Sequence, residues 1–344
     1  MTRFVVVGLG HIGRRHALLL SELEDAQLIA VVDQQASRLA DISELADIPL
    51  FNELDDLLLS DIQAEVVVIA TPNGTHLSLA EQCLRKGWHV LIEKPMGLSA
   101  SACRELLKLA QDLNRQVFVV KQNRFSPPVA WLKEFVQEGK LGEILTVEIN
   151  CFWNRDSRYY DQVGTASWRG TNSLDGGVLF TQFSHFVDIL YWIFGPVEVR
   201  HAFMDNLAHK DITQFPDTGV VSFTLENGAI GSLHFTTAIW DKNMESVFTV
   251  VGRKGTVRIG GQYMDKISYF HVQGEEQPVL EASAPPNDYG GYQGSAGNHY
   301  YVLKSVIQYL QTGNDKGIIS GEDGMQVVEL IEQIHKMAGF YPAE

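Results

Sequence analysis

Cysteines, basic residues and long apolar runs are all scarce in this sequence, and each shortage excludes a class of protein. Only three cysteines, Cys83, Cys103 and Cys151, occur in 344 residues, and their scattered spacing indicates neither a zinc site nor a disulfide framework. We therefore expect packed, reduced thiols and no metal. Lysine and arginine number 27 against 42 acidic residues, so the net charge of −15 opposes binding to nucleic acid or anionic lipid.

Membrane and export signals are missing as well. No apolar run reaches the roughly 20 residues that cross a bilayer. The N-terminal residues Met1 to Phe4 lead into a strand pattern rather than into a signal peptide. We expect a cytoplasmic protein that has no membrane or nucleic-acid partner.

The composition is that of a globular protein, with 45% hydrophobic and 20% charged residues. A chain of this length exceeds a single domain of about 150 residues. The hydrophobic pattern changes after Lys121, which predicts a first domain over 1–121 and a second over 122–344.

Short apolar runs alternate with amphipathic stretches in the first domain. Strands buried on both faces have such runs, and the stretches between them have the length of crossover helices. The pattern predicts a doubly wound parallel sheet of the Rossmann type, in the α/β class. The strand runs are Phe4–Val7, Leu28–Val32, Val66–Ile69, Val90–Ile92 and Val117–Val120, and the helical stretches include Leu77–Cys83 and Leu98–Leu113.

The second domain has a different periodicity. From Leu145 to Trp153 apolar and polar residues alternate, which indicates a strand with one buried face. Asn227-Gly228 and Lys254-Gly255 separate further strand patterns, as in hairpins. We expect an α+β domain with an open, mostly antiparallel sheet. Its helical patterns are Val178–Phe194, Tyr301–Leu310 and Met325–Met337.

A dinucleotide fingerprint, G-x-G-x-x-G, follows the first strand and opens a helix. Its glycines allow a tight turn and close packing, and the pyrophosphate would lie on the helix N-terminus. Asp33 can accept hydrogen bonds from the adenosine ribose and would repel a 2′-phosphate, so NAD is expected rather than NADP. Arg38 can offset that repulsion and keeps NADP open as an alternative. The fingerprint consists of Gly8, Gly10, His11, Ile12 and Gly13.

Two further segments carry a family resemblance: Ala70–His76 and the triplet Glu93-Lys94-Pro95. With the fingerprint, they make the chain resemble the Gfo/Idh/MocA oxidoreductases, the group of glucose-fructose oxidoreductase and inositol dehydrogenase. The resemblance runs over the whole chain. It implies an NAD-binding Rossmann domain and homo-oligomers, dimers or tetramers, that form through the C-terminal sheet.

The resemblance also implies roles for single residues. Lys94 would be the catalytic lysine and Glu93 would approach the nicotinamide ribose. The nicotinamide end would be reached by Gln122 and, on the substrate side, by Arg124. The residues implied to line the dinucleotide are Thr71, Pro72, Asn73 and His76.

The segment from Asp175 to Asp188 is similar to the family's helix signature, G-G-G-x-x-x-D-x-G-x-H-x-x-D. It retains His185 and Asp188, but Asp175 replaces the first glycine and Thr181 stands where many members carry aspartate. On one helix, positions 181, 185 and 188 would share a face. The resemblance makes His185 the second catalytic residue, with Thr181 and Asp188 in support, and puts a carboxylate at position 181 in doubt.

Oxidation of an alcohol moves a hydride to nicotinamide, while the hydroxyl proton goes to a base. Either Lys94 or His185 can take this proton. We expect Lys94 to bond the reacting oxygen and His185 to be the principal base or relay.

Arginines and aromatic residues concentrate between positions 153 and 172 of an otherwise acidic chain. Guanidinium groups pair with phosphate or carboxylate, and aromatic faces pack on sugars and bases. The alternative is a packed loop whose arginines meet local acids. The segments resemble the branch that acts on UDP-N-acetyl sugars and their uronic acids, the 3-dehydrogenases. The implied substrate residues are Arg155, Arg158, Tyr159, Trp168 and Arg169, and His299 joins them unless Gly-Asn-His is a helix cap.

Together these features predict an NAD-dependent dehydrogenase of a sugar ring hydroxyl and favour a nucleotide-linked amino sugar or uronate as its substrate. A dehydrogenase of free sugars or polyols such as inositol is the first alternative. A glycoside hydrolase that uses NAD for transient oxidation is the second. A non-catalytic dinucleotide sensor is the third, and the pair Lys94 and His185 argues against it.

Overall fold

The computed structural model describes residues 1–40, 42–160, 168–284, 286–288 and 293–341. The chain divides into two compact units, one formed by Met1–Lys121 with His299–Val328 and the other by Gln122–Asn298 with Glu329–Glu344. The two sequence-based domains, 1–121 and 122–344, stay predictions. Within the described ranges, no helix is both long and apolar enough to span a membrane.

The first unit contains the predicted parallel sheet. Its strand order is β3-β2-β1-β4-β5-β6, and every described pair is parallel. This is the doubly wound order in which ligands bind where the order reverses, between β1 and β4. The strands are β1 Thr2–Val7, β2 Ala26–Val32, β3 Leu50–Phe51, β4 Val66–Ile69, β5 His89–Ile92 and β6 Val117–Val119.

Helices cover this sheet because their apolar faces repeat at helical spacing. In α5, for example, Ala100, Cys103, Leu106 and Ala110 are buried, and Ser99 caps the first turn by accepting from the Ala102 N–H. The helices here are α1 His11–Glu22, α2 Ser37–Ala40, α3 Leu54–Leu59, α4 His76–Arg85 and α5 Ala100–Asp112.

The second unit contains the predicted open sheet. Its order is β13-β12-β11-β7-β10-β9-β8, and among the described pairs all are antiparallel except β7 with β10. Val147, Ile149 and Cys151 are buried while the residues between them are not, so the alternation predicted one buried face correctly. The strands are β7 Ile144–Phe152, β8 Val197–Asp205, β9 Thr218–Leu225, β10 Ile230–Thr236, β11 Glu245–Gly252, β12 Gly255–Gly260 and β13 Lys266–Val272, and a separate pair is β14 Pro286–Asp288 with β15 Gln293–Ala296.

The predicted hairpin at Asn227-Gly228 joins β9 to β10. The Gly228 φ angle is +84°, a conformation that glycine adopts without strain. Asn227 instead uses its side chain, whose Oδ1 accepts from the Ala229 N–H. The turn is therefore confirmed, although only its glycine uses the left-handed region.

The expected single helix over Val178–Phe194 is wrong. The second unit has α6 Pro127–Gln137, α7 Ser157–Tyr160, α8 Val178–Thr181 and α9 Ser184–Phe194. Between α8 and α9, Phe183 has φ −106° and ψ 1°, outside the helical region. Apolar residues recur at helical spacing across this break, at Phe180, Phe183 and Phe186, so periodicity alone could not reveal it. The argument that 181, 185 and 188 share one helix face fails with it.

The chain then returns to the first unit. Helix α10 spans His299–Thr312, and α11 spans Gly321–Met337. Between them, the Ile319 carbonyl accepts from the Val119 N–H at 3.0 Å, and Ser320 bridges to Phe118. A C-terminal segment thus packs along β6, the edge strand of the parallel sheet.

Candidate active site

The glycine fingerprint forms the tight turn between β1 and α1. The Gly8 φ angle is +91°, and a Cβ on Gly8 would lie 2.7 Å from the Ala70 carbonyl oxygen. A Cβ on Gly13 would lie 1.7 Å from the Gly8 oxygen, whereas one on Gly10 would meet nothing within 4 Å. Gly8 and Gly13 are therefore required for packing, and Gly10 leaves open backbone at the N-terminus of α1. That arrangement fits a pyrophosphate.

Asp33 lies at the end of β2 beside this turn. Its carboxylate accepts from the Leu9 N–H at 2.6 Å and from the Gln35 N–H at 2.8 Å. The half-exposed Arg38 guanidinium lies 3.0 Å from the same carboxylate. Asp33 is thus fixed in the position where NAD-binding folds accept ribose hydroxyls, and Arg38 neutralises it in part.

The loop after β4 is tied to the loop after β5 by one buried histidine. His76 Nδ1 lies 2.8 Å from the Pro95 carbonyl oxygen, and His76 Nε2 lies 2.9 Å from the Thr71 carbonyl oxygen. Burial lowers the pKa of His76, although both carbonyls favour its protonated form. In this structure His76 joins loops; its predicted contact with the dinucleotide stays a prediction.

Glu93 follows β5 and is almost fully buried. Its Oε1 lies 2.7 Å from His16 Nε2, and its Oε2 accepts from the Lys94 backbone N–H at 3.1 Å. Burial alone would raise the pKa of Glu93, but the hydrogen bonds and charge of His16 and His299 outweigh it and hold this pKa well below its usual range. The carboxylate is therefore ionised.

His299 belongs to this cluster. Its Nε2 lies 3.6 Å from Glu93 Oε1, and its ring meets that of His16 edge to face at 5.3 Å. Its predicted contact with substrate stays a prediction, but the ring is completely buried and turned toward Glu93. Sequence reasoning missed His16, because a lone histidine on an apolar helix face is typical of a core residue.

In the second unit, Arg124 and Asp188 form a buried ion pair. Arg124 donates from Nε to one carboxylate oxygen at 2.8 Å and from Nη2 to the other at 2.7 Å, and its guanidinium also lies over the Trp192 ring. This two-pronged geometry is the strong form of the interaction. Asp188 therefore holds Arg124, a relation that sequence reasoning did not propose.

A buried carboxylate lies beside Thr181 after all. The Thr181 hydroxyl donates to the Asp175 carboxylate, whose other oxygen accepts from the Gly170 N–H at 2.9 Å. Burial raises the pKa of Asp175, and these hydrogen bonds together with Arg169 offset the rise only in part. Sequence reasoning missed the pair; its signal was that the family pattern is broken at both positions.

His185 lies in the first turn of α9 and is 3% exposed. It belongs to the second unit and Lys94 to the first. Their predicted joint role stays a prediction. Gln122, beside Arg124 in a short turn, is also buried.

Arg155 occupies the centre of an aromatic cluster. Its guanidinium lies 4.8 Å from the Trp153 ring and 5.2 Å from the Tyr159 ring. Its Nε donates to Gln182 Oε1 at 2.8 Å, and Gln182 in turn donates to the Tyr159 hydroxyl at 2.6 Å. Arg155 is therefore rigidly placed and 2% exposed.

The other predicted substrate residues differ in exposure. Arg158 is half exposed and pairs with Asp156 and Asp241, as expected of a loop whose arginines meet local acids. Arg169 lies 4.3 Å from the Tyr159 ring and 5.6 Å from that of Trp168, and Arg169 and Trp168 are both partly exposed. Residues 161–167 lie outside the described residues.

Family models match both parts of the chain. The model described as the oxidoreductase family with NAD-binding Rossmann fold covers residues 2–121, and the GFO/IDH/MocA C-terminal domain covers residues 129–258. Among characterised relatives, the inositol 2-dehydrogenase of Rubrobacter xylanophilus is 30% identical over 74% of this chain and 70% of its own.

Two solved structures are similar over nearly the whole chain. The WlbA dehydrogenase of Chromobacterium violaceum, in complex with NADH and UDP-GlcNAcA, is 32% identical, with a TM-score of 0.86 over 98% of this chain and 94% of that one. The WlbA dehydrogenase of Bordetella pertussis, in complex with the same two molecules, is 30% identical, with a TM-score of 0.86 over 100% and 99%. Fold class, family resemblance and NAD as cofactor are thereby confirmed. The chain belongs to the Gfo/Idh/MocA family and is an NAD-dependent sugar oxidoreductase.

Proposed function

We propose that the protein oxidises a secondary ring hydroxyl of a nucleotide-linked amino sugar or its uronic acid. The observation that carries this proposal is the similarity, along the whole chain, to two dehydrogenases bound to UDP-GlcNAcA and NADH. The class of substrate fits the chain's own residues, because Arg155 and Arg169 stack on Tyr159 within a protein of net charge −15. Such guanidinium groups suit a pyrophosphate or carboxylate, and aromatic faces suit the rings.

The proposed chemistry divides between two residues. NAD would be held by the fingerprint turn and Asp33, and when bound it would supply the hydride acceptor. An ammonium group donates hydrogen bonds but cannot accept a proton, so Lys94 polarises and positions the reacting oxygen. A neutral imidazole can accept the proton, and His185 takes this role as base or relay.

The substrate test measures NADH absorbance with NAD and one sugar at a time. We expect UDP-GlcNAcA and UDP-GlcNAc to give turnover, with a kcat/KM about 100-fold or more above that of myo-inositol, because buried charged contacts to the nucleotide contribute several kcal/mol. Turnover with myo-inositol but with neither UDP-sugar would overturn the proposal and favour a polyol dehydrogenase. That second candidate rests on the inositol 2-dehydrogenase relative. Sugar hydrolysis without net NADH would indicate the NAD-using hydrolase.

The catalytic roles are tested separately. Lys94→Met and His185→Ala should each reduce kcat about 100-fold or more while the NADH dissociation constant changes little. Lys304→Met and His201→Ala are matched controls, since both side chains are exposed. Unchanged turnover in both active-site variants would refute the assignment.

We also propose, as the family resemblance implies, that the chain forms homo-oligomers through the outer face of the open sheet. Phe203 pairs with Val220, and Val220 pairs with His234, so all three share this face. Phe203 is 70% exposed and Ile230 is 65% exposed. Light scattering coupled to gel filtration should give a dimer or tetramer, and Phe203→Glu with Ile230→Glu should shift it toward the monomer.

A further inference from the structure

Three side chains from distant parts of the chain meet inside the first unit. His16 comes from the second turn of α1, Glu93 from the end of β5, and His299 from the first residue of α10. All three are buried, and each offers a ligand atom within 4.8 Å of the others. We call them the His-Glu-His cluster.

The two oxygens of Glu93 have different tasks in this cluster. Oε1 faces both imidazoles, at 2.7 Å from His16 and 3.6 Å from His299. Oε2 accepts from the Lys94 N–H. One carboxylate oxygen therefore faces the two imidazoles, and the other fixes the backbone of the proposed catalytic lysine by a hydrogen bond.

A bound metal ion explains this geometry less well than a shared proton. Two ligands of one tetrahedral zinc ion lie roughly 3.3 Å apart when each is about 2.0 Å from the metal. His16 Nε2 and Glu93 Oε1 are closer than that, at 2.7 Å, which is the distance of a charge-assisted hydrogen bond. Arg15 also places a positive charge near His299, which disfavours a cation.

A charged group outside the cluster also acts on it, because the charge of Arg15 in α1 lowers the pKa of His299. Within the described residues, Nδ1 of His16 and both ring nitrogens of His299 have no hydrogen-bond partner. His16 Nε2 is therefore hydrogen-bonded to Glu93, and the nearby Nε2 of His299 faces the same oxygen at 3.6 Å without competing hydrogen bonds.

We propose that His16 and His299 are positioning residues for the cofactor: they fix the ionised Glu93 carboxylate so that it can accept hydrogen bonds from the nicotinamide ribose. The inference rests on NAD as cofactor and on the contact with the nicotinamide ribose that the family resemblance implies for Glu93, but not on the identity of the sugar. It assigns a purpose to the segment 299–328, which returns to the first unit and begins with His299.

The test uses binding of NADH alone, measured by its fluorescence, so a wrong sugar does not affect it. His299→Leu keeps the volume but removes the polar ring that faces Glu93 at 3.6 Å, and we expect it to raise the dissociation constant about tenfold. His299→Gln restores a polar N–H group at this position, and its dissociation constant should lie within about threefold of the wild type. His89→Ala, a histidine of the same unit whose Nδ1 accepts from the Gln116 N–H, is the control.

A double-mutant cycle separates positioning from simple packing. In the Glu93→Gln background, His299→Leu should have almost no further effect on NADH affinity, because the group it positions is gone. Additive losses, or a His299→Leu variant with lower thermal stability and unchanged NADH affinity, would overturn the proposal. If His299→Leu does not fold, His16→Leu in the same cycle decides, because it removes the 2.7 Å partner of Glu93.

Metal analysis completes the test. We expect less than stoichiometric zinc in the purified protein and no change of NADH affinity after dialysis against a chelator. One zinc ion per chain, whose removal abolishes NADH binding, would replace the positioning role with a metal site.

Discussion

Glu93 in the first unit and Asp175 in the second are both carboxylic acids with almost no exposed surface. Burial raises the pKa of any carboxyl group, yet the pKa of Glu93 is held well below its usual range while that of Asp175 is raised. The difference lies in the partners. The imidazoles of His16 and His299 face Glu93, whereas Asp175 accepts from the Thr181 hydroxyl and from backbone N–H groups, and the charge of Arg169 lowers its pKa by less than burial raises it.

The comparison shows that burial alone does not determine the state of an acidic residue in this enzyme. Around Asp175 the hydrogen bonds and the Arg169 charge offset only part of the desolvation penalty, whereas the two imidazoles at Glu93 offset all of it. Glu93 is therefore suited to receive hydrogen bonds as an anion, and Asp175 is poised to hold a proton. Three substitutions can break or sharpen this contrast.

The largest effect is expected for Glu93→Gln. An amide has one acceptor oxygen, so either His16 or the Lys94 N–H loses its acceptor at a buried site. We expect the free energy of unfolding near pH 7 to fall by about 3 kcal/mol. Urea unfolding followed by circular dichroism measures it.

The sign of the pH dependence gives an independent check on Glu93. Because the pKa of Glu93 is lowered in the folded protein, its contribution to the free energy of unfolding is present above the unfolded pKa of 4.5 and is lost as pH falls below that value. The Glu93→Gln variant should lack this acid-range loss. A variant as stable as the wild type near pH 7 would mean that the cluster does not stabilise the carboxylate.

The dinucleotide-binding residues could be predicted from the sequence because their motifs are local. Gly8 to Gly13, Asp33 and Glu93 each directly follow a buried strand, and parallel strands bring their carboxyl ends to one edge. The position of each residue in the motif therefore fixes its place in the fold. The His-Glu-His cluster was not readable, since His16 and Glu93 are 77 residues apart and neither histidine belongs to a motif.

The second unit was less predictable for a physical reason. In its helix signature Phe180, Phe183 and Phe186 continue an apolar repeat across position 183, so the periodicity does not reveal the helix break there. The pairing of Arg124 with Asp188 depends on how α9 packs, which no local pattern encodes. The two departures from the family pattern, at 175 and 181, were visible, but only the fold shows that they contact each other.

His335 sharpens the comparison, because it is a buried histidine between the rings of Phe180 and Phe340 rather than beside a carboxylate. Burial lowers its pKa to about 4. The unfolded chain then binds a proton that the folded chain does not, so stability falls as pH drops from 6.5 toward 4. We expect the wild type to lose about 2 kcal/mol at pH 5 through this residue.

His335→Gln should remove this loss, so that its unfolding free energy changes less between about pH 7 and pH 5 than that of the wild type. His201→Gln, at an exposed position of β8, is the matched control. Parallel pH profiles for wild type and His335→Gln would show that this histidine titrates normally despite its burial.

Asp175→Asn should change the free energy of unfolding near pH 7 the least of the three substitutions. A small change would support a raised pKa of Asp175. In the variant, the amide oxygen can accept from the Gly170 N–H, and the amide nitrogen can donate to the Thr181 hydroxyl oxygen. The Thr181 hydroxyl can then donate its own proton to the backbone carbonyl of residue 175, which is already 3.0 Å away. The pKa of Asp175 is higher in the folded protein than in the unfolded chain, where it is 3.8. The free energy of unfolding of the wild type therefore falls as pH rises from 3.8 through the folded pKa, and the asparagine variant does not show this fall. We expect a change within about 1 kcal/mol, neutral or stabilising, near pH 7. A loss as large as that of Glu93→Gln would mean that Asp175 is held as an anion, and the contrast between the two buried acids would fail.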